Sequence, residues 1–144
     1  MTDAERDEFL AGRHTMNIAS MGADGRIHLV AMWYGFVDGV PAFWTYGRSQ
    51  KVVNLERDPR VTGLVETGET YDQLRGVELV GTARIVREGP MLQTAGESVW
   101  ERYTGPVDAA ARDALAVVGA KRVAVLIDVD KYVTWDHTKL GGTY

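Results

Sequence analysis

Trp44-Thr45-Tyr46-Gly47-Arg48-Ser49-Gln50-Lys51-Val52-Val53-Asn54-Leu55-Glu56-Arg57-Asp58-Pro59-Arg60 reads as an aromatic strand, a glycine turn and a short helix. Ser49 stands where that helix can begin, and a serine hydroxyl there suits an orphan amide of the first turn. Asp58-Pro59 ends the helix, because the residue before a proline is pushed out of helical geometry. Free amides and the dipole at a helix start attract anions, and Arg48 and Lys51 set two cations beside them. The stretch therefore predicts a phosphate seat or, equally, a capped helix with solvated charges. Arg48, Lys51, Arg57 and Arg60 form a local reversal of a formal net charge of −4.

The composition bounds what surrounds this stretch. With 144 residues, 45% of them hydrophobic, the chain is expected to form one domain, 1–144, around one core. The longest apolar runs, such as Val123 to Ile127, fall far short of the ~20 residues of a bilayer span. The acidic start, Met1 to Glu8, lacks the basic-then-apolar layout of a secretory signal, and a cytoplasmic protein is the expectation. No cysteine is present, which excludes disulfides, thiolate metal sites and a Cys nucleophile. His14, His28 and His137 lack metal-ligand spacing, so no metal is expected. The acidic balance argues against a nucleic-acid partner.

Outward from the opening stretch, the pattern is mostly of strands. Residues 3–11 predict a short helix and 15–21 a strand. Asp24-Gly25 marks a turn into a long second strand, Ile27 to Phe36. Ile27, Leu29, Ala31 and Trp33 share one of its faces, with Val30, Met32 and Tyr34 on the other. Apolar residues on both faces predict cover on both sides, by core, ligand or a partner chain. Asp38-Gly39 turns the chain into Ala42–Tyr46. Val61–Glu66 and Val77–Val86 are further strands, joined by a polar loop that carries Glu69, Tyr71 and Asp72. Small Gly81 and Ala83 on an apolar face predict a close strand approach or a sharp bend. Residues 90–103 switch to a helical period, with Leu92, Ala95, Val99 and Tyr103 inward and Glu97, Glu101 and Arg102 outward. Asp108–Val117 is a second helix. Arg122–Val129 is a strand with Val123, Val125, Ile127 and Val129 inward. The fold class expected is mainly β (α+β), an antiparallel barrel with accessory helices.

Several of these segments, in this order, resemble the pyridoxamine phosphate oxidase-like split β-barrel superfamily, which binds flavins or deazaflavins. Gly25 to Trp33 resembles its second strand, with Ile27 and Ala31 where prolines are usual. Phe43-Trp44-Thr45, Ser49-x-Lys51, Asn54-Leu55 and Asp58-Pro59-Arg60-Val61 resemble its central block. Val80-Gly81-Thr82-Ala83 resembles a later strand, and Val133-Thr134-Trp135-Asp136 the closing Trp motif. The likeness runs from about residue 9 to about residue 136.

The resemblance implies a homodimeric split barrel with two cofactor clefts at the subunit interface. The ring system would lie against Val30, Ala31, Met32 and Trp33, with Thr45, Arg48, Ser49, Lys51, Arg57 and Trp135 as the other cofactor-binding residues. Family members that use FMN carry an Arg and a Lys on the second strand, where this chain aligns Leu29 and Tyr34. The Arg48-x-x-Lys51 pair resembles instead the branch that uses coenzyme F-420, a deazaflavin with a phosphate and a polyglutamate tail. The expected function is hydride delivery from reduced F-420 to a small unsaturated substrate, with no catalytic residue assigned. The alternatives are an FMN- or haem-binding oxidase on the same fold, and a non-catalytic deazaflavin-binding protein. The tail, His137 to Tyr144, is expected either to reach a partner's cleft or to hang free.

Overall fold

Strand alternation and tight turns produce one continuous antiparallel sheet in the computed structural model, which describes residues 1–141. Its strands are β1 (Met16–Met21), β2 (Ile27–Met32), β3 (Tyr34–Val37), β4 (Val40–Tyr46), β5 (Arg60–Thr67), β6 (Arg75–Val86) and β7 (Arg122–Asp136). They lie in the order β2-β1-β5-β6-β7-β4-β3. The helices are α1 (Asp3–Ala11), α2 (Gln50–Arg57), α3 (Pro90–Tyr103) and α4 (Ala109–Gly119). This is an antiparallel split β-barrel with accessory helices, as the strand count and turn spacing predict. Among the described residues no helix is long and apolar enough to cross a membrane.

Two expectations change here. The segment Ile27–Phe36 is not one strand: it breaks at Trp33, and its halves sit on opposite edges of the sheet. Alternation survives such a break, which is why the residue pattern conceals it. The second change concerns β7, which is buried on both faces from Val123 to Ile127. Val123, Val125 and Ile127 join the main core with Phe9, Met16, Ile18, Tyr34, Phe43 and Leu79. Ala124 and Leu126 face the other way and pack with Val37, Ala42 and Ala95 under α3. The β3–β4 connection is a two-residue hairpin turn with positive φ at Asp38 (51°) and Gly39 (80°), the backbone that Asp-Gly favours.

Helix α1 starts on a capping box, with Thr2 Oγ1 accepting from the Glu5 amide and Glu5 Oε2 accepting from the Thr2 amide. Its end is held by Arg102, which points inward rather than outward as expected. Arg102 donates to the carbonyls of Leu10, Ala11 and Gly12 and lies 4.7 Å from the Tyr34 ring centroid. Those terminal carbonyls have no intrahelical donors, and a guanidinium supplies them.

Tyr34 is fully buried and donates its hydroxyl to the Leu10 carbonyl at 2.7 Å. Burial pushes its pKa up to about 12. A folded value above the unfolded value of about 10 means the stabilisation is complete below pH 10 and is lost as pH rises through the folded value. Thermal melts between pH 9 and 12 are therefore expected to fall more steeply for the wild type than for Tyr34→Phe. Parallel curves would remove Tyr34 as the group responsible.

Candidate functional site

The split in the barrel has two lips. Strand β4 outruns β3: the last β3–β4 pair is Tyr34 with Phe43, and Trp44, Thr45 and Tyr46 pair only with β7. Strand β2 bonds only to β1, so the outer edge of its backbone is unpaired. Between the lips lies a cavity of about 430 Å³, with Ala31, Met32 and Trp33 on one side and Trp44 and Arg122 on the other. Trp100 of α3 and Leu115 of α4 help to close it. Three of the four second-strand candidates thus line one cavity. Val30 turns inward instead and packs against the core. Trp33 is stacked on Tyr103 of α3 with ring centroids 4.7 Å apart, yet it stays half exposed.

At the foot of the split, the amide of Gly47 donates to the Lys121 carbonyl at 3.0 Å, which docks the cationic turn onto the start of β7. Ser49 occupies the N-cap position of α2, but its hydroxyl caps no amide, contrary to expectation. That hydroxyl is buried and has no partner among the described residues. Lys51 is only 9% exposed, and its ammonium donates to Thr45 Oγ1 at 3.2 Å. Burial, and then the nearby Arg122 charge, lower its pKa. The first amides of α2 have no intrahelical acceptors. A buried ammonium without a counter-charge, an orphaned hydroxyl and free amides make a donor set that fits a phosphate. Arg48 adds an exposed cation that pairs with nothing among the described residues.

Other candidates are not brought to this place. Arg57 sits at the far end of α2 and donates to the Met21 carbonyl, and Arg60 pairs with Asp58 at 2.6 Å. The expected four-cation cluster is thus divided. Trp135 lies over Gly76, near the opposite end of β7 from Arg122. Two cations that sequence reasoning missed stand in place of Arg57 and Arg60. Arg122 lies over the rings of Trp44 and Tyr46, at 4.7 and 4.5 Å from their centroids. Arg87 reaches the Gly47 turn and pairs with Glu56. The available signal was the Lys121-Arg122 doublet opening the strand that pairs with Ala42–Tyr46. The ring of loop residue Tyr71 lies tilted against that of His137, whose Nδ1 lies 2.8 Å from the Tyr71 carbonyl oxygen. Of the tail, residues 142–144 lie outside the described residues.

Comparison with known proteins bears on this geometry. Residues 2–136 match the family described as pyridoxamine 5'-phosphate oxidase. No curated protein matches the chain in sequence. Among solved structures, the conserved hypothetical protein Rv2991 of Mycobacterium tuberculosis is 46% identical, with a TM-score of 0.95 over 100% of this chain and 90% of that one. An F-420 reductase is similar at 22% identity and TM-score 0.65, over 88% of this chain and 94% of that one. The haem storage protein HutZ of Vibrio cholerae is similar at 16% identity and TM-score 0.71, over 93% of each chain. The last two likenesses concern the fold alone.

Proposed function

Because this chain belongs to the pyridoxamine 5'-phosphate oxidase family, whose fold holds flavin-type cofactors, we propose that it is an F-420-dependent reductase of small unsaturated molecules. The observation that carries this reading is Lys51, a buried cation with only a hydroxyl for a partner, beside the orphaned Ser49 hydroxyl at the start of α2. Lys51, Ser49 and the first α2 amides would hold the phosphate, with Arg48 at its exposed side. Arg48 and Lys121, both exposed, would offer cations to the anionic tail beyond it. Leu29 and Tyr34, which stand where FMN-users carry cations, bring no charge to the split.

When bound, the reduced deazaflavin supplies a hydride. The chain's own part is to bind, orient and exclude water. The unpaired edge of β2 offers amides and carbonyls for the heteroatoms of a planar ring. Trp33, Trp44 and Trp100 line the cavity beside that edge and keep water from the reacting carbon.

A second copy completes the site in this reading. The outer face of β2 leaves Ile27 at 68%, Leu29 at 65% and Trp33 at 52% exposure, an apolar stripe that a partner would cover. Trp135 lies about 36 Å along β7 from Ala124, the strand partner of Trp44, at a rise of 3.3 Å per residue. In this reading it serves the cleft of another protomer.

Titration of the purified protein with F-420 and with FMN, followed by ligand fluorescence, tests the proposal. Binding of F-420 at least ten-fold tighter than FMN is expected. Micromolar FMN binding without F-420 binding would overturn it.

A further inference from the structure

Among the described residues, Arg122 is the only charged side chain lining the 430 Å³ cavity, whose walls are otherwise apolar or aromatic apart from Thr104. Its guanidinium lies over the rings of both Trp44 and Tyr46. The bond it makes is a long one, from Nη1 to the Trp44 carbonyl at 3.4 Å. Its Nε is buried and without a partner, as is Nε1 of Trp44 in the same wall. Four other arginines, Arg60, Arg75, Arg84 and Arg87, each meet a carboxylate, which Arg122 does not among the described residues. A stacked guanidinium is preorganised, and one that lines an apolar cavity with no carboxylate for a partner suits a planar anion.

We propose that this cavity is a substrate pocket for a small planar aromatic carboxylate, with Arg122 as the residue that binds its carboxylate. The inference rests on the cofactor reading above only in naming the occupant a substrate. Arg122 is near enough to Lys51 for its charge to be felt there, but the two cations lie on opposite faces of β4. Tyr46, its cross-strand partner, and Trp44 lie on the helix side of β4, whereas Thr45, which holds Lys51, alternates to the barrel interior. Two cations on opposite faces of one strand serve two different anions. Trp33, Trp44 and Trp100 supply the flat apolar walls that favour a ring over an aliphatic acid.

Isothermal titration calorimetry with 2-naphthoate and its neutral isostere 2-naphthamide reads the proposal directly. The wild type is expected to bind the carboxylate at least ten-fold more tightly than the amide. Arg122→Leu should erase that preference, Arg122→Lys should keep part of it, and Lys131→Ala, which removes a cation elsewhere on β7, should leave it whole. Circular dichroism of each variant separates a lost fold from a lost contact, and Arg122→Lys keeps the test informative if the leucine variant does not fold. Equal affinities in the wild type, or a preference that survives in Arg122→Leu, would overturn the proposal. With F-420 saturating, naphthoate should still bind; mutual exclusion would assign the cavity to the cofactor and overturn it too. Failure of F-420 to bind, with the naphthoate pattern intact, would instead overturn the cofactor reading and leave the Arg122 pocket standing.

Discussion

Lys51→Ala is expected to weaken F-420 binding by ~1–3 kcal/mol, a loss of roughly five- to 150-fold. The size follows from burial. Among the described residues the ammonium is held only by the Thr45 hydroxyl, so it exchanges water for a phosphate at little further desolvation cost. Its lowered pKa adds a pH dependence with a definite sign. An anion beside it favours the charged form, so binding takes up protons where free Lys51 is partly neutral. Affinity should therefore fall as pH rises through the lowered value of the free protein. Stability of the ligand-free protein runs the other way. Folded Lys51 binds fewer protons than unfolded Lys51, so this group's contribution is greatest above the unfolded value near 10.4 and is lost as pH falls through the folded one. Lys51→Met should then raise the ligand-free Tm at neutral pH while losing the phosphate. Fluorescence titrations at several pH values, with melts alongside, check both halves. Unchanged affinity together with a lower Tm would make Lys51 a structural residue and move the phosphate seat elsewhere.

What the residue pattern could convey was local. Ser49-x-Lys51 and Asp58-Pro59 delimit α2, and Asp38-Gly39 fixes a hairpin, because each depends on neighbours in the chain. Gly81 and Ala83 announced a close strand approach that the structure contains. What could not be read was longer in range. The break at Trp33 leaves apolar alternation intact, so only the sheet order shows that its two sides lie on different edges. Arg122 and Arg57 are both cations close to the strands of the split, and tertiary packing puts one over Trp44 and the other, at the end of α2, on the Met21 carbonyl. The apolar outer face of β2, legible as such, is uncovered in a single chain, which is the gap the proposed ligand and partner fill.

Gly81→Ala is expected to cost about 3 kcal/mol and to lower Tm by roughly 10 °C. A methyl on Gly81 would land on the Asp128 carbonyl, a backbone atom that no rotamer change can move aside. The reason for such closeness is the irregularity opposite: Val80 pairs with Lys131 and Gly81 with Val129, leaving Asp130 as an extra residue on β7. That one residue reverses which side chains face the core. Before it Val123, Val125, Ile127 and Val129 point inward; after it Tyr132 packs against the same core cluster. Trp135 therefore falls on the outer face, over Gly76, where a partner's cleft could receive it. Without the bulge a period of two would turn Trp135 inward. Gly25→Ala is the matching control: its φ of 81° is strained for alanine, but the space is open, so about 1 kcal/mol is expected. Thermal melts of the two variants decide the matter. Equal, small losses would mean that β6 and β7 can slide apart at the bulge, and that the outward face of Trp135 is set by something other than this contact.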